Sequence, residues 1–221
     1  MTVKIIACEV MQEELLSIAP QATVEYEFVS MGLHSRPKKL HQELQKLLSR
    51  SYGYQKIILA FGLCGGAAKE LAAPDCPLIL PRVHDCIPLL LGSCQRFEQF
   101  SREERGTFYV SCGWMLTERN ILAEHQRVMA KYGEQKALRL LARMYDSYRR
   151  VLFIHTGCRQ EAERISESQR LAGLLALRHE TVQGNKAYLN KLVNGPWDPA
   201  EFIHIAPQEK IQEEHFGLGL V

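Results

Sequence analysis

Two hydrophobic periods alternate along the chain, and this constrains its fold more than any other feature. Short runs at Val3–Ala7, Val24–Ser30, Lys56–Phe61, Leu78–Pro81, Thr107–Ser111, Val151–His155, Glu180–Gln183 and Phe202–Ile205 read as strands. Several are almost wholly apolar, the pattern of strands covered by helices on both faces. Between them lie amphipathic stretches. In Pro37–Ser51 the leucines Leu40, Leu44, Leu47 and Leu48 recur every three or four residues, which marks a one-sided helix. Pro37 suits its first turn, where a missing N–H costs nothing.

The middle of the chain interrupts this rhythm. Leu116–Tyr148 lacks proline, has the single glycine Gly133, and is rich in Glu, Arg, Lys, Leu and Ala. It reads as one long helix or two helices broken near Gly133. The expected fold is therefore α/β: a parallel-sheet, Rossmann-like architecture in two similar halves, residues 1–115 and 151–221, joined by a helical connector at 116–150. The halves echo each other faintly, one strand ending in Ala7-Cys8 and another in Thr156-Gly157-Cys158.

Charge narrows the partners. The formal net charge is only +2, and no Lys/Arg run interleaved with aromatics occurs, so a nucleic-acid face is not expected. No apolar run reaches the roughly 18–20 residues needed to cross a bilayer, and Met1-Thr2-Val3-Lys4 leads straight into a strand rather than into a signal peptide. A cytoplasmic protein acting on a small molecule is the expectation, with a homodimer as the base-rate assembly.

There are seven cysteines. Their odd number and the lack of a secretory signal argue against a disulfide framework and for thiols used as ligands, nucleophiles or packing groups. Their placement is more informative. Cys8, Cys64, Cys86, Cys112 and Cys158 each fall at or just past the carboxyl end of an expected strand, the edge where open parallel sheets bind ligands. Cys76 and Cys94 look like packing residues. A buried cysteine is often just a small hydrophobe, so the inference rests on the cluster rather than on any one thiol.

Two segments concentrate the chemistry. Phe61-Gly62-Leu63-Cys64-Gly65-Gly66-Ala67 is a strand end running into a glycine-rich turn, where Gly65 and Gly66 let backbone approach a ligand. It lacks both the P-loop Lys-Ser/Thr and the dinucleotide fingerprint. Pro81-Arg82-Val83-His84-Asp85-Cys86 sets a guanidinium, an imidazole, a carboxylate and a thiol in succession. His and Cys are ligands for zinc or iron, a carboxylate commonly orients a ligating His, and Arg grips anions. The same residues also fit a thiol nucleophile activated by His84 and Asp85, or a tight turn with an Arg82–Asp85 ion pair. No Cys-x-x-Cys occurs, so any metal site must be assembled from separate loops. Thr156-Gly157 before the helix at Gln160–Arg170 has the form of an anion-accepting helix start or of an ordinary cap, and His34 sits at another strand end.

Gly62-Leu63-Cys64-Gly65, Pro81-Arg82-Val83-His84-Asp85-Cys86-Ile87 and Leu91-Gly92-Ser93 resemble the domain of unknown function 1638 family. So do Ala7-Cys8-Glu9-Val10, Leu33-His34-x-x-Pro37, Gly106-Thr107-Phe108-Tyr109, Gly113-Trp114 and Thr156-Gly157. The resemblance implies a mostly bacterial and archaeal, often anaerobe-associated group, some of whose members occur beside corrinoid methyltransferase systems. It implies no established reaction. It supports Cys8, Cys64, His84, Asp85 and Cys86 as signature positions and does not require cysteine at 112 or 158.

The reading that results is a metal-dependent enzyme acting on a small anionic or thiol substrate. Cys8, Cys64 and Cys86 would be metal ligands, with His84 as fourth ligand or acid/base. Asp85 would orient His84, Arg82 would hold the substrate, and Gly65, Gly66, Thr156 and Gly157 would line the ligand. The metal is zinc or iron; a corrinoid protein or a methyltransferase is the partner that the resemblance implies. The alternatives are a carrier of an iron–sulfur cluster, a corrinoid or a metal, with Cys112 or Cys158 as a further ligand, and a metal-free enzyme using Cys64 and Cys86.

Overall fold

A computed structural model describes residues 2–118 and 120–217. The ends of the two expected halves and one residue of the expected connector, at 1, 119 and 218–221, lie outside the described residues. All eight expected strands are present: β1 (Thr2–Cys8), β2 (Thr23–Val29), β3 (Lys56–Ala60), β4 (Leu78–Pro81), β5 (Thr107–Ser111), β6 (Arg150–His155), β7 (Arg178–Gln183) and β8 (Phe202–Ile205).

The strands form a mixed α/β structure with two sheets. The first has the order β2-β1-β3-β4-β8 and the second β5-β6-β7. Every neighbouring pair is parallel except β4 and β8, where Leu78 faces Ile205 and Pro81 faces Phe202 in antiparallel register. The two sheets are unequal in size, and the β4–β8 pair makes the first one mixed rather than wholly parallel. β5 pairs with β6 in the second sheet, while β8 returns to edge the first.

Residues on the central strands explain why the first sheet is a core. Ile5, Ile6, Ala7, Ile57, Ile58, Leu59 and Ala60 are completely buried, because helices pack on both faces. α2 (Pro37–Ser49) buries Leu40, Leu44, Leu47 and Leu48, each worth about 2 kcal/mol of transfer free energy. α3 (Ile87–Leu91) and α9 (Ala187–Asn194) complete the cover with Leu89–Leu91 and with Tyr188, Leu189, Leu192 and Val193. α1 (Gln12–Leu16) follows β1 after a 3-10 turn at Glu9–Met11, and α4 (Cys94–Glu103) leads to β5.

The connector is two helices, α6 (Ile121–Tyr132) and α7 (Glu134–Met144), broken at Gly133, whose φ of +81° favours glycine. With α5 (Cys112–Leu116) and α8 (Glu161–Leu174), they enclose a second, smaller core around Val110, Cys112, Val151, Phe153 and Leu171. The two sheets also meet directly. Ile154 of β6 belongs to the larger core, and α5 lies so close to the 9–11 turn that a Cβ on Gly113 would stand 1.9 Å from the Val10 carbonyl oxygen. Among the described residues no helix is long and apolar enough to cross a membrane.

Candidate functional site

The order of the first sheet fixes where a ligand would sit. The chain passes from β1 to β2 on one side, then to β3 on the other, so connections leave β1 and β3 in opposite directions. The crevice beyond the carboxyl ends of such a strand pair is the usual binding position. Cys8 ends β1 and is 2% exposed. Cys64 follows β3 and Cys86 follows β4.

The loops after β3 and β4 are stitched together beyond the sheet itself. Leu63 N–H donates to Val83 O (3.0 Å) and Cys64 N–H to His84 O (2.8 Å). Gly62 makes this contact achievable: a Cβ there would lie 2.6 Å from Val83 O and 2.7 Å from Asp85 N. The chain then turns through three successive left-handed residues, Cys64 (φ +47°), Gly65 (+66°) and Gly66 (+87°). Two are glycines. The third is the thiol, which costs about 1–2 kcal/mol in that conformation. Strain of this kind concentrates at ligand sites.

The electrostatics of the group are shared. Burial pushes the Cys8 thiol up to about 12, with a smaller contribution from the Glu9 charge. Burial does the same for Cys64, up to about 12, followed by Asp85 and Cys8. Cys86 stands well above its ordinary value through burial, then Asp85, Cys8 and Cys64. Asp85 is itself raised by burial, despite a hydrogen bond from Ile87 N–H and nearby His84 and His34. Cys64 and Cys86 thus both feel burial first and then the charges of Asp85 and Cys8. Their donor atoms do not close into a cage: among the described residues, Cys8, Cys64, Cys86 and the flanking groups include no three with all ligand atoms within 4.8 Å of one another.

Other expected roles are redistributed. His84 is exposed, and Asp85 Oδ1 accepts the N–H of Ile87, the first residue of α3 (2.8 Å). The imidazole facing this region is His34, stacked on Phe61 at 5.9 Å between ring centres and lowered in pKa by burial, with Glu9 and Asp85 nearby. Arg82 reaches toward the C-terminal segment. Its guanidinium donates to Pro199 O (3.0 Å) and His215 O, pinning the C-terminal segment. Gly65 and Gly66 line a groove of about 830 Å³ that carries Arg36, Lys38 and Lys39 and no acid. Thr156 and Gly157 are spent internally: both N–H groups donate to Glu161 Oε1, at 2.9 and 3.0 Å. The anion site expected there is filled by the chain's own carboxylate, whose pKa those N–H bonds and His155 lower against its burial.

A second cleft, about 650 Å³, opens between the two sheets. Its lining includes Glu14, Thr156, Cys158, Arg159 and Lys186. Glu14 was not readable as a site residue: Gln12-Glu13-Glu14 looks like a solvated helix face. Yet Glu14 is 1% exposed. Its Oε1 accepts the Thr156 hydroxyl at 2.6 Å, whereas Oε2 is buried without a partner. Burial raises its pKa, opposed by the Thr156 bond. Beside it Cys112 and Cys158 are joined as a disulfide, their Cα atoms 6.4 Å apart. This corrects the expectation that the thiols stay unpaired and separates this pair from the Cys8 group. Cys112, Cys158 and Glu161 also form a compact donor set, with ligand atoms within 4.8 Å.

No curated protein and no solved structure shows significant similarity to the chain. A family model described as "Protein of unknown function (DUF1638)" matches residues 28–193, a stretch that includes Cys64, His84, Asp85 and Cys86 and begins after Cys8. Since that match covers most of the chain, the protein belongs to the family of domain of unknown function 1638.

Proposed function

We propose that the protein is a metal-dependent, cysteine-ligated enzyme acting on a small anionic or thiol substrate at the carboxyl edge of the first sheet. One observation carries this reading: Cys8 at the end of β1, Cys64 after β3 and Cys86 after β4 all lie at the carboxyl edge of the first sheet, where β1 and β3 diverge. Soft sulfur donors suit zinc or iron, and a bound cation offsets the burial that keeps such thiols protonated. Bringing the sulfurs within coordination distance requires side-chain rotation, because they are not caged as they stand. Cys8, Cys64 and Cys86 would hold the ion and leave a fourth position for substrate. There the ion would act as a Lewis acid, for example activating a substrate thiol for methyl transfer.

The chain's own groups supply the rest. The basic groove at Arg36, Lys38, Lys39, Gly65 and Gly66 adjoins Cys64 and suits an anionic substrate. His84 is open to solvent, and desolvation holds the half-buried His34 below its ordinary pKa, with Asp85 nearby. The two-half, Rossmann-like relation of the sheets belongs to this proposal as well, since it accounts for a ligand site at the switch point of the first sheet. A carrier role without turnover is the second reading, favoured by the near-complete burial of Cys8.

Metal analysis and a visible spectrum on anaerobically purified protein test the proposal. Stoichiometric colourless zinc supports the enzyme, and a brown chromophore supports an iron–sulfur carrier. Cys64→Ser and Cys86→Ser should each lose the metal, while Cys76→Ser and Cys94→Ser keep it. Equal metal content in all four variants refutes the assignment.

A further inference from the structure

The inter-sheet cleft holds chemistry that the metal reading does not use. Its wall contains a paired dithiol whose two members differ sharply in access. Cys112 is 0% exposed, at the first position of α5 against the second core. Cys158 keeps open surface and lines the cleft. The same cleft is lined from the first sheet's α1 by Glu14, which has a carboxyl oxygen that is buried and unpartnered. A buried polar atom left without a partner is unfavourable, and a ligand's hydrogen-bond donor would satisfy it. The lining also carries Arg159 and Lys186, two cations that can meet a thiolate or a ligand carboxylate, beside the acids Glu9 and Glu13, which are engaged by Ser30, Met31 and the Arg159 N–H.

We propose that this cleft is a thiol–disulfide exchange site for a small, carboxylate-bearing thiol, with Cys158 as the sulfur attacked, Cys112 as the buried leaving partner and Glu14 as a group that recognises the ligand. In the first step the thiolate of the small molecule bonds to Cys158 Sγ as the Cys112–Cys158 bond breaks. Cys112 departs with the electron pair and takes up the proton released by the incoming thiol. A second small thiol then attacks the small molecule's own sulfur in the mixed disulfide, releasing the symmetrical disulfide and Cys158 as thiol. Two thiols are oxidised and one protein disulfide is reduced, so atoms and electrons balance. In the opposite direction the small disulfide reoxidises the protein.

Reduced and oxidised glutathione are suitable probes. Oxidised native protein is incubated with reduced glutathione, quenched in acid, alkylated and mapped by mass spectrometry. The 112–158 linked peptide should be replaced by two alkylated thiols while the protein stays folded. Given oxidised glutathione, Cys112→Ser should acquire one glutathione at Cys158, whereas Cys158→Ser should acquire none at the buried Cys112. The proposal is overturned if the pair resists native reduction, if it never links, or if the adduct forms at Cys112. It is also overturned if the two cysteines instead hold zinc with Glu161, seen as metal lost from both variants. No readout involves Cys8, Cys64 or Cys86, so this result is separate from the fate of the metal centre.

Discussion

Gly62→Ala tests the junction that brings Cys64 beside Cys86. The added methyl would stand 2.6–2.7 Å from three backbone atoms, Val83 O, His84 C and Asp85 N. None belongs to a flexible side chain, so the two loops must move apart by several tenths of an ångström to restore ordinary contact. The hydrogen bonds that close the junction, at 3.0 and 2.8 Å, have no such slack. Losing both at about 1 kcal/mol each gives a destabilisation of about 2 kcal/mol. For a chain of this size that is a fall in melting temperature of about 4–8 °C. Gly173→Ala is the matched control. It lies in α8, its Cβ would meet nothing within 4 Å, and it should stabilise by about 0.4–1 kcal/mol through helix propensity. Urea and thermal unfolding of the two variants should therefore move in opposite directions. If Gly62→Ala melts with the wild type or above it, the loops are not held by this contact and the argument for a preorganised Cys64–Cys86 neighbourhood fails.

Two further outcomes probe residues whose surroundings only the fold reveals. Because burial raises the Glu14 pKa above the ordinary 4.5, the native state keeps this proton where the unfolded chain has lost it. Stability should then fall as pH rises from about 4.5 through the raised folded pKa, by at most about 1.4 kcal/mol per pH unit, and level off above it. Glu14→Gln should flatten that part of a pH series of urea midpoints, and superimposable curves for the two proteins would show that Glu14 is not a desolvated acid. Arg82→Gln should cost about 1–2 kcal/mol by releasing the Pro199 and His215 carbonyls, and should speed proteolysis near the C-terminus without changing metal content. A loss of metal or of anion binding with unchanged proteolysis would restore Arg82 to the site.

The sequence reveals whatever the local pattern determines. All eight strands and the α2 stripe were readable because apolar period and flanking turn residues are properties of a few consecutive positions. So was the break at Gly133. The strand-end positions of Cys8, Cys64, Cys86, Cys112 and Cys158 follow from the same information, but not which of these thiols come together. Pairing between distant strands is different. Nothing in Thr107–Ser111 says that it will join β6 rather than β4, and Phe202–Ile205 has the same apolar pattern whichever direction it runs. Side-chain commitments were equally hidden where the partner comes from far along the chain. Arg82 is taken by residues near 199 and 215, and Glu14 is buried only because the Thr156 loop of the other sheet crosses it.

That division explains why the two candidate sites differ in kind. The first is built from strand ends of one sheet, so its members are visible one by one. The second exists only where two sheets meet: Glu14 reads as a surface acid, Thr156-Gly157 as a helix start, and Cys112 and Cys158 as strand-end thiols with no sign that they pair with each other. Counting cysteines could not find the pair, since seven thiols are compatible with one bond and five free groups. Gly113 is the residue that joins these levels. Its missing Cβ lets α5 approach Val10 at a distance no other residue permits, and this contact holds the wall with Cys112 against the segment that carries Glu14. A larger residue at 113 would push the two walls apart, so the width of the cleft, and with it any exchange chemistry at Cys158, depends on a position that bears no functional group.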